Sequence, residues 1–289
     1  MENFGVGTVI EFKNVSYTYP LADVPAVKNI SFSLEQGGFY GVIGRNGSGK
    51  TTLCALIRGF APSFYKGNLE GTVLIDGKPT VDYGPGELSL RIGYVFQNPF
   101  NQICGVKDTV FEEVAFGLEN FGVPVDEIER RVVEIMDLTN ITGVAEKNPF
   151  ELSGGQQQRL ALASIIVLKP DILVIDEPTS QLDPEGTESV FEIVKTMKKE
   201  KKTIFLVEHK VDLLAEYADT ILVLHQGRLV RMGPAPEVLG DEKLLDYGTP
   251  IPQIALLGNA LIRRGLPLGA APITEEAAVR AFKDCIEAG

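Results

Sequence analysis

The segment Gly44-Arg45-Asn46-Gly47-Ser48-Gly49-Lys50-Thr51, followed by Thr52, has the composition of a phosphate-binding loop. Glycines let backbone N–H groups crowd around phosphate oxygens, and a helix that follows turns its positive end toward them. In such a loop Lys50 reaches the β- and γ-phosphates of a nucleotide, and the Thr51 hydroxyl ligates Mg²⁺. Downstream, the apolar run 172–175 ends in Asp176-Glu177. Two carboxylates at a strand end suit a metal held through water (Asp176) and a polarised attacking water (Glu177). Leu152-Ser153-Gly154-Gly155-Gln156 opens a helical pattern. Ser153 is a good N-cap there. Two glycines and a hydroxyl at a positive helix end also make a second anion site. The first loop already holds one nucleotide, so the second site points to a nucleotide held by another copy.

The elements that must position these residues follow from hydrophobic period. Alternation over 9–34 predicts two strands joined around 17–25. A strand over 39–43 runs into the phosphate loop and a helix over 51–59. A hairpin is expected at 72–75 with Asp76-Gly77 as its turn, then a strand over 91–96. Helical spacing over 110–118 and 126–138 marks a helical insert near 100–155. A helix over 154–168, a buried strand over 172–175, a helix over 184–199 and a strand over 203–207 follow. Continuous apolar strands alternating with helices predict a largely parallel sheet covered on both faces. A hairpin is expected around His225 to Arg228, and short helices at about 252–264 and 274–287. The expected fold is a RecA-like α/β nucleotide-binding core with an N-terminal antiparallel β lobe, an inserted α-helical lobe and a small C-terminal helical extension. The boundaries are 1–232 for the nucleotide-binding unit and 233–289 for the extension. Apolar faces in the extension (Ile254, Leu257, Leu261; Ala278, Phe282, Ile286) suggest a role in dimer pairing.

Composition narrows the class. The 289 residues carry 39 acids against 27 bases, a formal charge of −12. That argues against nucleic acid as a partner. The basic cluster Lys198, Lys199, Lys201 and Lys202 is broken by Glu200 and reads as a solvated helix end. Cys54, Cys104 and Cys285 have no metal-like or disulfide-like spacing, which points to a reducing compartment and the cytoplasm. No apolar stretch approaches the ~20 residues of a membrane helix.

Taken together, these motifs resemble the ATP-binding cassette (ABC) family over about residues 8–232. The resemblance implies ATP hydrolysis with Mg²⁺ and a head-to-tail pair of cassettes, identical or paralogous, each serine-glycine loop capping the γ-phosphate bound by the other. Carried onto matching positions, Tyr19 resembles the aromatic that stacks on adenine, with Tyr17 as a competitor. Gln97 resembles the glutamine that touches Mg²⁺ and reports to a membrane subunit. Asp183, in Ser180-Gln181-Leu182-Asp183, resembles part of the loop that crosses the dimer interface. His209 resembles the switch histidine at the γ-phosphate. His225, in a hairpin, is expected at the surface.

A finer similarity rests on Phe96-Gln97-Asn98-Pro99-Phe100-Asn101-Gln102, Thr179 to Pro184 and Val207-Glu208-His209. These resemble the ATPases of energy-coupling factor transporters, which take up vitamins or transition-metal ions. The C-terminal helices are similar to that subfamily's extension, whereas Phe100 departs from its usual aspartate. The resemblance implies a transmembrane coupling subunit, a substrate-binding membrane subunit, and a place on the cytoplasmic face of the cell membrane. The alternatives are the ATPase of a generic ABC importer and a soluble non-transport ABC ATPase. The second usually carries paired cassettes or long coiled coils, and neither is present here. A phosphate-loop kinase leaves 152–156 and His209 without a purpose.

Overall fold

The computed structural model describes residues 7–84 and 86–287. Strands β1 (Thr8–Thr18) and β2 (Val27–Glu35) pair antiparallel, with Phe12 opposite Phe32 and their rings stacked at 4.5 Å. Along β2, Val27, Ile30, Phe32 and Leu34 are buried while Asn29, Ser31, Ser33 and Glu35 are exposed, the period-2 signature of a strand with one wet face. Strand β3 (Phe39–Ile43) is buried at every residue and leaves this sheet for a second one. After α1 (Lys50–Ile57) and the short α2 (Phe60–Ser63), β4 (Asn68–Ile75) and β5 (Lys78–Pro79) return to the first sheet, completing the order β2-β1-β4-β5. The turn between them, Asp76-Gly77, has φ of 49° and 78°, the doubly positive geometry that matches strand twist in a two-residue hairpin.

The second sheet carries the chemistry. Helix α3 (Glu87–Arg91) leads into β6 (Ile92–Val95). The insert α4 (Val110–Asn120) and α5 (Val125–Leu138) is followed by α6 (Gly154–Ile166) and β7 (Ile172–Asp176). Then come α7 (Pro184–Lys199), β8 (Thr203–Val207), α8 (Val211–Tyr217), and the hairpin β9 (Thr220–His225) and β10 (Arg228–Pro234). The strand order is β10-β9-β3-β8-β7-β6, parallel except for the edge strand β10. Every residue of β3, β6, β7 and β8 is buried, as helices on both faces require. In the insert, Thr109 and Glu112 form a reciprocal capping box at α4. Ile128, Val132, Ile135 and Met136 give α5 one buried face at helical spacing.

The boundary expected at residue 233 falls inside β10. The chain beyond it adds α9 (Ala235–Leu239), α10 (Gln253–Arg263) and α11 (Glu275–Glu287), with Thr274 accepting from the Ala277 N–H at 3.2 Å. Val238, Leu239, Leu244, Ile251, Ala255 and Ile273 belong to the same hydrophobic cluster as β3 and β7. Of the apolar faces expected here, Ala278 is buried, Ile254, Leu261 and Phe282 are half-buried, and Leu257 is exposed; the Ile286 side chain lies outside the described residues. Helix α8, not expected from the sequence, buries Val211, Leu214 and Ala215 at helical spacing, but its seven residues are too few for a period to stand out. Leu239 is fully buried at the end of α9, so Leu239→Ala should destabilise the whole chain by about 2–5 kcal/mol. Chemical denaturation followed by two probes, one in α10 and one in the sheet, should show both shifting together.

Candidate active site

The phosphate loop joins the C-terminal end of β3 to α1, where a parallel sheet places its ligand crevice. Gly49 opens α1 with φ 104°, and a Cβ there would lie 2.8 Å from the Ala26 carbonyl oxygen. Gly44 is tighter still, with a Cβ falling 2.3 Å from the Leu224 oxygen. Lys50 is almost entirely buried. Its Nζ donates to the Gly44 and Arg45 carbonyls at 2.9 and 3.3 Å and lies 3.5 Å from Glu177 Oε1. A cavity of about 380 Å³ opens here, lined by Asn46, Gly47, Lys50, Thr51, Gln97 and Glu177 among others. Thr52 borders the same cavity, and Ser48 is buried in the loop beneath it.

Three neighbouring strands aim side chains at that cavity. Glu177 leaves β7 with φ 47° and donates its N–H to Val207 at 2.9 Å. Its Oε1 is 2.8 Å from His209 Nε2, which follows β8, and its Oε2 accepts from Gln97 Nε2 at 2.8 Å, which follows β6. Asp176, the last residue of β7, is buried, and its Oδ1 has no hydrogen-bond partner among the described residues. Tyr17 is fully buried, its hydroxyl donating to the Lys66 carbonyl, so it has no face to offer a ligand. Tyr19 is half-buried, with its hydroxyl 3.3 Å from Thr52 Oγ1. Burial thus separates the two tyrosines that sequence left in competition. His225 is half-buried, its ring 5.4 Å from that of Tyr247, away from this cluster.

Ser153, Gly154, Gly155 and Gln156 do not join the phosphate loop within the chain. They line a separate cavity of about 420 Å³ with Arg159, Leu182 and Asp183. Ser153 Oγ accepts from the Gln156 N–H at 3.4 Å, and the Gln156 side chain accepts from the Ser153 N–H at 3.0 Å. Asp183 caps α7 by accepting from the Gly186 N–H at 2.7 Å. A Cβ at Gly154 would meet no described atom within 4 Å. Among the described residues nothing demands glycine at that position.

The family model described as ABC transporter matches residues 27–180, more than half of the chain. The chain belongs to the ABC transporter family. A putative ABC transporter ATP-binding protein of Pyrococcus abyssi is 44% identical over 260 residues, 89% of this chain and 92% of that protein. An energy-coupling factor transporter ATP-binding protein, EcfA1 of Enterococcus faecalis, is 38% identical over 94% of this chain and 95% of its own length. Among solved structures, cbiO1 from Clostridium perfringens, part of the ABC transporter complex cbiONQ, superposes with TM-score 0.72 at 32% identity, covering 86% of this chain and 98% of its own. The dimeric ATP-binding cassette MJ0796, in a post-hydrolysis state bound to ADP and Pi, gives 0.69 at 29% identity over 78% of this chain and 98% of its own. The chain is an ABC ATPase that binds nucleotide and is homologous to transporter-energising subunits.

Two groups of this ABC ATPase were not singled out in sequence. Arg159, one helical turn from Gly155, lines the serine-glycine cavity, and its buried Nε has no partner among the described residues. Glu208 is buried beside His209 and stands out in the sequence only as part of a motif. Their signal lay in position alone, since an arginine in a helix and a glutamate after a strand are common.

Electrostatics single out Asp176. Burial pushes its pKa up to about 6, against hydrogen bonds from Thr51 and Tyr94 and the charge of Lys50, while the Glu177 charge adds to the rise. The folded chain therefore holds this proton more tightly than the unfolded one. The cost of the charge is absent below the ordinary value of 3.8 and complete above about pH 6, so stability falls as pH rises between them. Asp176→Asn should raise stability by about 1–3 kcal/mol above pH 6 in chelator, with the gain vanishing toward pH 4. Thermal melts across that range read the difference directly.

Proposed function

We propose that this ATPase powers an energy-coupling factor importer of vitamins or transition-metal ions, working as half of a head-to-tail pair of identical or paralogous cassettes. The observation that carries the pairing is the separation of the two anion-binding surfaces. Lys50, Gln97 and Glu177 line one cavity, with His209 held against Glu177, while Ser153 to Gln156 line another with Gly154 left uncovered. A second cassette turned about a two-fold axis supplies each cavity with the missing loop, consistent with the dimeric relative holding ADP and Pi. The importer class is supported by identity with the energy-coupling factor ATP-binding protein over 94% of this chain, more than the nucleotide-binding unit alone would span. The exposed Leu256, Leu257 and Val279 of those helices would add to the pairing.

In this reading Tyr19 stacks on adenine, and the loop from Gly44 to Thr52 cradles the phosphates with backbone N–H groups. Lys50 exchanges its bonds to the Gly44 and Arg45 carbonyls for phosphate oxygens. Glu177 takes a proton from the attacking water, and Gln97 and His209 fix the carboxylate that does so. The donor set fits Mg²⁺. Asp176 offers one unpartnered oxygen beside the Thr51 hydroxyl and Gln97 lies across the cavity, a sparse oxygen set of the kind that phosphates and waters complete. When bound, Mg²⁺ would neutralise charge on the transferring phosphate. Ser153 of the second cassette then closes on the γ-phosphate, with Asp183 at the same interface.

Among the described residues no helix is long and apolar enough to cross a membrane, so work on a membrane requires docking. Gln97 touches Glu177 at one end and opens the 98–107 segment at the other, where Phe100 stacks on Phe150 and both are half-exposed. A coupling-subunit helix seated there, on the cytoplasmic face, would sense nucleotide through Gln97.

Glu177→Gln should keep ATP binding and cut turnover by about 10²–10⁴-fold, holding the two cassettes together in ATP. Steady-state ATPase and size-exclusion chromatography read both. Mixing Lys50→Ala chains with Ser153→Arg chains should restore activity that neither has alone; no recovery in demonstrated mixed dimers argues against shared sites. Asn101→Arg should abolish co-purification with the coupling subunit while leaving basal ATPase within about twofold. Wild-type pull-down by that variant would place docking elsewhere.

A further inference from the structure

Glu208 stands between the last residue of β8 and His209, and only 2% of it is exposed. Three donors enclose its carboxylate. Oε1 accepts from the backbone N–H groups of His209 at 2.7 Å and Lys210 at 3.1 Å, and Oε2 accepts from the Thr179 hydroxyl at 2.7 Å. A buried carboxylate is costly unless such donors meet it, so the three contacts depend on one another.

The donors come from two segments of separate origin. His209 bears the imidazole that meets Glu177 Oε1, whereas Thr179, itself buried, lies just past Glu177 and leads into the loop ending at Asp183. Lys210 closes the ring. Its Nζ donates to Thr187 Oγ1 at 2.6 Å and reaches the Thr179 carbonyl at 3.5 Å. Thr187 is the neighbour of Gly186, which lines the outward cavity with Ser153 and Asp183. A continuous set of hydrogen bonds thus joins the face where a second cassette would sit to the backbone that carries His209.

We propose that Glu208 is a positioning residue for ATP hydrolysis, tying the His209 segment to the loop from Glu177 to Asp183 so that the partner-facing loop sets the His209–Glu177 geometry. The inference rests on the roles given above to Glu177 and His209. Glu208 does not line the nucleotide cavity, so its loss acts on turnover and leaves binding in place. Displacement of a general base or its orienting group by a fraction of an ångström is enough to slow the chemical step without altering phosphate contacts.

Steady-state ATPase of the full chain tests this with three variants. Glu208→Met removes every acceptor, and Thr179→Val removes one donor at constant shape. Glu208→Gln keeps Oε1 for the two N–H groups and offers its amide to the threonine oxygen. Glu208→Met should lower kcat by about tenfold or more, and Thr179→Val by about threefold to tenfold, each with KM for ATP within about threefold. Glu208→Gln should retain more than about half of wild-type kcat. The double variant Glu208→Met/Thr179→Val should be no slower than Glu208→Met alone, because both break one network. Wild-type kcat in Thr179→Val, additive losses in the double variant, or a fall in kcat matched by a rise in KM would overturn the proposal. If Glu208→Met does not fold, Thr179→Val and Glu208→Gln decide it by the same criteria. Glu177→Gln run alongside separates the two levels: normal turnover in that variant would remove the Glu177 assignment itself.

Discussion

The carboxylate of Glu177 is the point on which the site converges. It is reached by Gln97 from the end of β6, by His209 from the end of β8 and by Lys50 from the start of α1, while its own backbone leaves β7 in a left-handed conformation. Four chain segments therefore agree on the position of one side chain. A non-glycine residue with positive φ is tolerated only where surroundings over-determine it, and here its N–H bond to Val207 and the three side-chain contacts do so. Such an arrangement fixes the orientation of the carboxylate before any substrate arrives, as the general-base role proposed for it requires.

The parallel sheet makes that convergence possible. Strands β6, β7, β8 and β3 are neighbours and run in one direction, so their C-terminal ends emerge side by side. Burial on both faces fixes the register and leaves only the strand ends free to carry polar groups. The same burial produces the tension at Asp176. Its carboxylate is held where water cannot reach it, with one oxygen unpartnered and its pKa raised to about 6. A buried carboxylate held this way costs stability, and the Mg²⁺ role proposed for it gives that cost a use.

The serine-glycine helix shows the opposite economy. Its capping box satisfies the first N–H groups locally, but Gly154 is exposed, and a Cβ there would meet nothing within 4 Å among the described residues. The C-terminal residues divide their loyalty too. Leu239, Leu244 and Ile251 are built into the central cluster, whereas Leu257 and Val279 face out. Both features make sense in an assembly of transporter subunits such as those to which the relatives belong.

Local physics made much of this legible beforehand. The phosphate loop was readable because glycine spacing followed by Lys-Thr is dictated by backbone approach to phosphate. The buried strands were readable because a two-sided sheet needs unbroken apolar runs, and the Asp76-Gly77 turn because both residues accept positive φ. Ser153 to Gln156 announced itself through capping chemistry, and Asp176-Glu177 through its place after an apolar strand. Adjacency between distant segments was not in the sequence. That Tyr17 is sealed while Tyr19 stays half-open beside Thr52 depends on how the segment around Lys66 packs against the first strand. That Glu208 reaches Thr179, and that residues past 234 enter the main core, depends on which surfaces meet after folding. Sequence fixes what a residue can do through its chemistry and its period. Which partner it does it with is decided by tertiary packing, because contacts between distant segments leave no periodic trace in either one.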